Sequence, residues 1–221
     1  MKILFHSTAP WSPSSYSVLT ARTVPQIVRA GYEVVLSTWY GLQGRHLPWG
    51  IIGDDGQPAG NVWVLPSVVG PYDAQVIHAH YQHHKADALI TCSDVWIFQP
   101  EHTGKCVFAP WLPLDHDPAP AGIVSALQTA VYPMVYSRWG VDILAKAGVK
   151  SHYVPCSAPA DVFKPGDKMA ARAILNISPE CDFLVSMVAA NKDPADRKAF
   201  GEALCGFARF AESHPQAYLY V

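Results

Sequence analysis

The chain has 221 residues, of which 50% are hydrophobic and 15% charged, and its 16 basic and 18 acidic residues give a formal net charge of −2. This composition supports a sizeable core and excludes disorder, and it provides no general attraction for nucleic acid or an anionic membrane surface. No apolar run reaches the length of a membrane span, and the residues after Met1 do not form a signal peptide. Five cysteines that are never spaced as CxxC predict free thiols and a cytoplasmic location.

The start of the chain has the pattern of a β–α–β unit. Residues 3–7 and 33–37 are apolar enough for buried strands, and the apolar residues of 18–30 have helical spacing that ends at Gly31. Such a unit predicts two parallel, neighbouring strands. The first loop, residues 8–17, lacks GxGxxG, so the dinucleotide-binding fingerprint is absent.

Residues 39–60 contain many glycines and aromatic residues and are predicted to form a long excursion. A strand is expected at 62–65 and a helix at 73–85. His80 and His84 lie four residues apart on this helix, a spacing that metal ligands use. Because no cysteine or acidic residue joins them at a diagnostic spacing, a solvated helix face is the preferred interpretation and no metal site is predicted.

Two strand ends in the middle of the chain carry candidate site residues. Residues 88–92 predict a strand that ends just before Asp94, and residues 106–109 predict one that ends in a proline-rich loop with Asp115 and His116. Ligands bind outside the carboxyl ends of parallel strands, and loops there often carry sites. Asp94 is therefore a binding candidate, and Asp115 and His116 are catalytic candidates. A turn or cap for Asp94 and a solvated surface loop for the other two are the open alternatives.

The remainder of the chain continues the alternation of strands and helices. Helices are expected at residues 123–130, 141–147, 168–175 and 199–212, and strands at 134–136, 152–154, 183–189 and from 218 onwards. The alternation predicts a doubly wound parallel sheet. A stretch rich in proline and small polar residues predicts a boundary, with one domain at 1–157 and the beginning of a second at 158–221. Because this second unit stops after β–α–β, the chain is expected to be a fragment of a longer protein.

Several stretches resemble the retaining glycosyltransferases of family 4, also called group 1 glycosyltransferases. They are HSTAPWSPSSYSVLTA, WLPLDHDPAP, YSRWGVDILAKAGV, VPCSAPADVFKP and SMVAANKDPADRKAFGEALCGFARF. The resemblance implies a GT-B fold of two Rossmann-like domains, the first binding mainly the acceptor and the second mainly the donor. It implies transfer of a sugar from a nucleotide-sugar to a glycan, lipid or small-molecule acceptor with retention of configuration. It also implies that no metal or other cofactor is needed, and it leaves peripheral contact with a membrane open.

The resemblance also implies roles for individual residues. His116 matches the active-site histidine of the family, and Asp115 could orient it. Arg197 and Lys198 enter a helix N-terminus and would neutralise the donor diphosphate, while Asn191 stands near where many relatives place an arginine. A solvated basic loop is the alternative for these three donor-site residues.

The first loop is the other implied contact with substrate. Ser14, Ser15, Tyr16 and Ser17 would lie near the donor phosphates or the acceptor. Relatives usually have Gly-Tyr-Gly where this chain has Ser-Tyr-Ser, and serine restricts the close approach of backbone to phosphate that glycine permits.

Two further departures concern the second domain. The interdomain motif is usually Pro-His-Gly-Val-Asp but reads PCSAP at residues 155–159, and the glutamate pair that grips the nucleotide-sugar would lie beyond Val221. A non-catalytic sugar- or nucleotide-binding module, or an inactive fragment of such an enzyme, is therefore the alternative function. A different enzyme on a Rossmann-like sheet is disfavoured by the missing dinucleotide fingerprint.

Overall fold

The computed structural model describes residues 1–68, 70–160, 162–190 and 194–221. These residues form two compact units, Met1–Ala158 and Pro159–Val221. The division lies within the proline-rich stretch that follows the last strand of the first unit.

The first unit is built on one eight-stranded sheet. Its strands are β1 (Lys2–Ser7), β2 (Glu33–Thr38), β3 (Leu47–Ile52), β4 (Pro58–Leu65), β5 (Ala88–Cys92), β6 (Phe108–Leu112), β7 (Met134–Val135) and β8 (His152–Tyr153). They lie in the order β3-β4-β2-β1-β5-β6-β7-β8, and every neighbouring pair is parallel except β3 with β4. Apart from β3, this is the strand order of a doubly wound Rossmann-like sheet, so the predicted fold class is confirmed.

The helices of the first unit follow the strands with short connections. They are α1 (Ser15–Arg29), α2 (Ile77–His83), α3 (Pro100–Thr103), α4 (Ala121–Ala126) and α5 (Arg138–Lys146). The two longest, α1 and α5, begin at the caps Ser14 and Ser137, whose side chains accept hydrogen bonds from the backbone N–H groups of Ser17 and Gly140. The helix predicted at 73–85 forms only in part. Its first half is a 3-10 turn, Pro71–Val76, in which Tyr72 and Asp73 have positive φ angles.

The edge strand β3 was not predicted from the sequence, which assigned residues 39–60 to an excursion. It pairs antiparallel with β4, with Pro48 opposite Trp63 and Trp49 opposite Val62. Its alternating pattern is hard to recognise because proline and glycine occupy its outward positions. Proline is tolerated there because β3 lies at the edge of the sheet, where one side of the strand needs no partner.

Strand β6 also differs from the expectation that prolines end it after Ala109. It continues to Leu112 and contains Pro110, which lies opposite Thr91 of β5. Proline has no N–H to donate, but the pairing of β6 with β7 begins only at Trp111. On that side Phe108 forms an isolated parallel bridge with Ala130, so the ring lies between this bridge and the β6–β7 ladder.

Apolar side chains cover both faces of the sheet. On one face the strands contribute Leu4, Val35, Leu89, Phe108 and Leu112, and α2, α4 and α5 pack against them. On the other face, the strands contribute Phe5, Leu36, Val64 and Trp111, and α1 packs against them through Leu19 and Val24. Consecutive residues of β1, Leu4 and Phe5, thus enter opposite core layers, as the pleat of a strand requires.

The second unit contains α6 (Lys168–Ile174), β9 (Phe183–Ser186), α7 (Phe200–Ser213) and β10 (Ala217–Tyr220). The two strands pair in parallel, with Leu184 opposite Tyr218. The β–α–β arrangement predicted for this part of the chain is therefore present. Cys181 and Phe200 are its buried apolar residues among those that the structure describes.

Candidate functional site

The order of the strands distinguishes the position between β1 and β5 from the rest of the sheet. From β1 the chain proceeds outward through β2 and β4, and from β5 it proceeds in the opposite direction through β6, β7 and β8. The connections therefore reverse direction between β1 and β5. In open α/β sheets, ligands bind in the crevice that opens at the carboxyl ends of the strands at such a switch point.

A ring of three hydroxyl groups joins the end of β1 to the start of α1. The Thr8 Oγ1 lies 2.8 Å from the Ser17 Oγ and 3.2 Å from the Ser14 Oγ, and the two serine oxygens are 3.0 Å apart. Ser17 is buried, so its hydroxyl fixes the loop and does not face solvent. Ser15 is exposed and Ser14 and Tyr16 are half-buried, so these three of the predicted loop residues remain accessible to a ligand.

Ser15, Tyr16 and Ser17 were predicted to lie in the first loop but form the first turn of α1, and Tyr16 reaches across the switch point. Its hydroxyl faces the carboxylate of Asp94, which lies two residues after the end of β5. Burial, with the negative charge and hydrogen bond of Asp94 adding to it, raises the pKa of Tyr16 well above its usual range. The phenol therefore stays protonated and can donate its hydrogen to the Asp94 carboxylate. The structure thus brings together two predicted site residues that lie far apart in the sequence.

Three buried polar groups without a partner belong to the ends of the strands that adjoin this pair. In the described ranges, the hydroxyls of Thr91 and Ser93 and the indole N–H of Trp39 are buried and make no hydrogen bond. Such groups are rare in folded proteins. Ser93 immediately precedes Asp94, so its hydroxyl lies in the same strand end. Sequence patterns did not single out any of these three residues.

Aromatic side chains form a wall beside the same crevice. Trp39 lies 6.5 Å from Tyr16 and 5.0 Å from Tyr72 between ring centroids, and Tyr72 lies 6.0 Å from Trp96. Trp96 is exposed, whereas Tyr16, Trp39 and Tyr72 are half-buried. The wall could have been anticipated only from the rule that parallel strands end at the same edge, because its members come from four separate loops or helix starts.

The thiol of Cys92 lies under the crevice, 3.6 Å from the Tyr136 hydroxyl. Burial raises the pKa of Cys92 to about 12, so the thiol stays protonated and is a poor nucleophile. The Ser7 hydroxyl donates to the Cys92 carbonyl oxygen at 2.9 Å, and the Thr20 hydroxyl donates to Ser7 at 3.0 Å. These contacts hold β1, β5 and α1 in fixed positions beneath the site.

The loop after β6 holds His116 and Asp115, the predicted catalytic pair. The His116 Nδ1 lies 2.6 Å from the Asp115 Oδ1, and the histidine side chain is 64% exposed. The carboxylate of Asp117 lies 3.5 Å from the Lys146 ammonium on α5. No hydrogen bond or ion pair described for the first unit joins His116 to Asp94 or to residues 14–17. The structure therefore pairs Asp115 with His116, and the catalytic role of both stays a prediction.

The predicted donor site lies in the second unit, before α7. Arg197 and Lys198 are exposed, and Asn191 lies outside the described residues. Asp196 occupies the end of the helix, because its two carboxylate oxygens accept from the N–H groups of Phe200 and Gly201, each at 2.9 Å. These two hydrogen bonds lower the pKa of Asp196. An anion bound at this helix end would therefore compete with a carboxylate that already belongs to the loop.

The loop after β2 fixes the first loop from the other side. The backbone N–H of Ala9 donates to the Tyr40 carbonyl at 2.8 Å, and the Trp11 indole N–H donates to the Gly41 carbonyl at 2.7 Å. The contact is close, since a Cβ at Gly41 would overlap the Ser12 hydroxyl and lie 3.1 Å from the Ala9 Cβ.

We expect Gly41→Ala to destabilise the first unit by about 1–3 kcal/mol more than Gly44→Ala, because overpacking displaces the neighbouring loop. Both glycines have positive φ, 90° and 84°, but a Cβ at Gly44 would meet nothing within 4 Å. The matched pair therefore separates the steric clash from the backbone strain. Urea unfolding of both variants measures the difference, and equal losses of unfolding free energy would contradict it.

Two structural features are absent from the parts of the chain that the structure describes. There, no group of three or more His, Cys, Asp or Glu side chains is arranged to hold a metal ion. No helix in these ranges has the length and apolar character needed to cross a membrane.

Comparison with known proteins supports the fold. No family model and no curated protein sequence matches the chain. Among solved structures, it is similar to a sucrose-phosphate synthase from Thermosynechococcus elongatus, with a TM-score of 0.64 and 12% identity over 99% of this chain and 69% of that one. This agrees with the predicted GT-B-like architecture. At such low identity the similarity shows the fold alone, and membership of family 4 and retention of configuration stay predictions.

Proposed function

We propose that this chain carries a glycosyltransferase function, in which a sugar moves from a nucleotide-sugar to an acceptor with retention of configuration. The observation that carries the proposal is the Tyr16–Asp94 pair at the switch point of a sheet with the fold of a glycosyltransferase. A carboxylate that is held by one phenol and still half-exposed can accept a hydrogen bond from a sugar hydroxyl. The first unit is proposed to bind the acceptor there, be it a glycan, a lipid or a small molecule.

The second unit is proposed to bind the donor. Arg197 and Lys198 would stabilise the negative charge that builds on the departing diphosphate, and Asn191 would assist them. No metal is needed for this step if basic side chains supply the charge. His116, oriented by Asp115, is proposed to bind a hydroxyl of the reacting sugar.

One observation favours a non-catalytic binding module as the second candidate. Asp196 places a negative charge on the helix end that a donor phosphate would use. Because the Asp196 carboxylate already accepts from these N–H groups, this helix end would bind a diphosphate less tightly than a helix end with free N–H groups. The module would keep the acceptor site of the first unit without turnover.

We expect Asp94→Asn to lower kcat/KM for the acceptor by about 30-fold, which corresponds to the loss of about 2 kcal/mol from a charge-assisted hydrogen bond. Asparagine keeps an oxygen for the Tyr16 hydroxyl, so the loop should stay in place. Hydrolysis of the nucleotide-sugar in the absence of acceptor should change little, because water can react without a hydrogen bond to Asp94. Release of nucleoside diphosphate, measured with and without acceptor, tests both statements.

Asp142→Asn is the matched control, since Asp142 is an exposed carboxylate on α5. It should leave both rates unchanged. A rate for acceptor transfer that is the same in Asp94→Asn and in wild type would exclude the proposed acceptor site. A chain that binds acceptor but releases no diphosphate would support the binding module instead.

A further inference from the structure

A large groove of the first unit lies away from the Tyr16–Asp94 pair. It has a volume of about 1180 Å³ and follows β2 and β4 from Lys2 and Glu33 at one end to Pro66 at the other. Its origin is the connection from β2 to β4, which contains the hairpin strand β3 and no helix. Helix α1 packs on the opposite face of the sheet and contributes Val28 to the lining of the groove, whereas α2 contributes Ala79, His80 and His83. The volume exceeds that of most small-molecule pockets.

The floor of the groove has an aromatic platform. Trp63 lies opposite Val35 in the sheet and is 46% exposed, and its ring meets the edge of His46 at 5.2 Å between centroids. Asn61 lies two residues earlier on the same strand and therefore on the same face. An amide side chain and an open indole ring thus stand next to each other along β4.

A chain of three hydrogen-bonded side chains determines what His80 offers to the groove. The His6 Nε2 lies 2.9 Å from the Tyr72 carbonyl oxygen, which only accepts, so this nitrogen carries the hydrogen. In neutral His6 the Nδ1 must then accept from the Ser37 hydroxyl, 3.0 Å away. Because its only hydrogen is used, the Ser37 oxygen accepts from the His80 Nδ1, also at 3.0 Å.

The consequence is a fixed tautomer at the wall of the groove. Neutral His80 carries its hydrogen on Nδ1, so its Nε2 presents a lone pair and has no partner among the described residues. Burial, with the neighbouring His84 adding to it, lowers the pKa of His80, which keeps the ring neutral at pH 7. His80 is therefore an acceptor for a hydroxyl group and not an additional positive charge.

The charge of the groove argues against a polyanionic ligand. Besides histidines, its charged side chains are Lys2, Glu33 and Arg45, and Lys2 is 3.2 Å from Glu33, so their charges compensate. One uncompensated cation, Arg45, remains. A lipid chain is disfavoured as well, because polar side chains interrupt the apolar surface along the whole groove.

We propose that this groove binds an uncharged oligosaccharide, with one sugar ring on Trp63 and sugar hydroxyls on the His80 Nε2 and the Asn61 amide. A sugar ring has an apolar C–H face and a rim of hydroxyl groups, and the groove offers a flat aromatic surface bordered by hydrogen-bonding groups that matches both. The length of the groove along β2 and β4 suits a chain of sugars. This site is separate from the Tyr16–Asp94 pair and does not require the transferase function proposed above.

The test uses the full chain labelled with ¹⁵N and a set of uncharged hexasaccharides, namely maltohexaose, cellohexaose, laminarihexaose and chitohexaose. At least one of them should shift the indole N–H signal of Trp63 in a saturable way. Trp63→Ala should raise its Kd at least about tenfold, because the aromatic platform is lost. Asn61→Ala should raise the Kd by a smaller factor.

Trp139→Ala is the matched control, because Trp139 is 45% exposed on α5 and does not line the groove; its Kd should equal that of wild type. Asp94→Asn should also bind with unchanged affinity, which separates this site from the acceptor site. The proposal is overturned if none of the four sugars shifts the Trp63 signal, or if Trp63→Ala binds as wild type does. Self-association that sedimentation detects in wild type and not in Trp63→Ala would also overturn it, since a second copy would then fill the groove.

Discussion

Replacing Arg197 by alanine should lower the rate of donor cleavage by about 10²–10³-fold, or about 3–4 kcal/mol, as loss of one preorganised charge donor does in other enzymes. Lys198→Ala should have a similar effect. The double variant should lose less than the two single losses together, because both charges would act on one diphosphate. Diphosphate release from the nucleotide-sugar that the chain accepts measures the rates, and titration of the nucleoside diphosphate measures affinity.

Asp196 makes this prediction more specific. Its carboxylate accepts from the Phe200 and Gly201 N–H groups, so it must move if the diphosphate is to use the same donors. Asp196→Asn removes the competing negative charge and should strengthen binding of the nucleoside diphosphate. The control is Arg209→Ala, which removes an exposed arginine within α7. Equal affinity in wild type and in the Arg197→Ala, Lys198→Ala variant would contradict the donor site and favour the binding module.

The sequence predicts the fold well because most strands of the sheet are covered on both faces. Buried parallel strands appear as apolar runs, and β1, β2 and β5 were located to within one or two residues. Strand β3 was missed because it lies at an edge, where only one face is apolar and proline is permitted. Pro110 misled the prediction for β6 because the effect of a proline depends on which neighbour is present at that position, and this information is not local.

The candidate site, like the fold, was predicted from the sequence only in part. Asp94 was identified because it lies just after the end of a strand. Its partner Tyr16 was placed in the first loop, but the bond between them depends on β1 and β5 being neighbours, which a local pattern does not show. The unpaired Ser93 hydroxyl and the buried Cys92–Tyr136 contact arise only when three strands are assembled. Residue type and strand end therefore indicate where chemistry can occur, and topology determines which side chains meet there.

The His6–Ser37–His80 chain is a further feature that only the assembled sheet creates. His6 lies on β1 opposite Ser37 of β2, and it is fully buried. Burial lowers its pKa to about 4, against a partial opposing effect of the hydrogen bond to the Tyr72 carbonyl. The unfolded chain should titrate this group near the ordinary value of about 6.5. Between these two values the unfolded state binds more protons than the folded state.

The first unit should therefore lose about 2–3 kcal/mol of unfolding free energy between pH 7.5 and pH 4.5 through His6. The contribution is fully present above pH 6.5 and is lost as the pH falls towards 4. His80 and His84, whose pKa values are also lowered mainly by burial, should add to the same slope.

Urea unfolding followed by tryptophan fluorescence measures this loss, because all seven tryptophans lie in the first unit. His6→Gln can still donate to the Tyr72 carbonyl but cannot take up a proton, so it should be less sensitive to pH than wild type, even if it is less stable at pH 7.5. If His6→Gln and wild type lose the same unfolding free energy over this range, the buried histidine is not the cause, and the tautomer assigned to His80 loses its support as well.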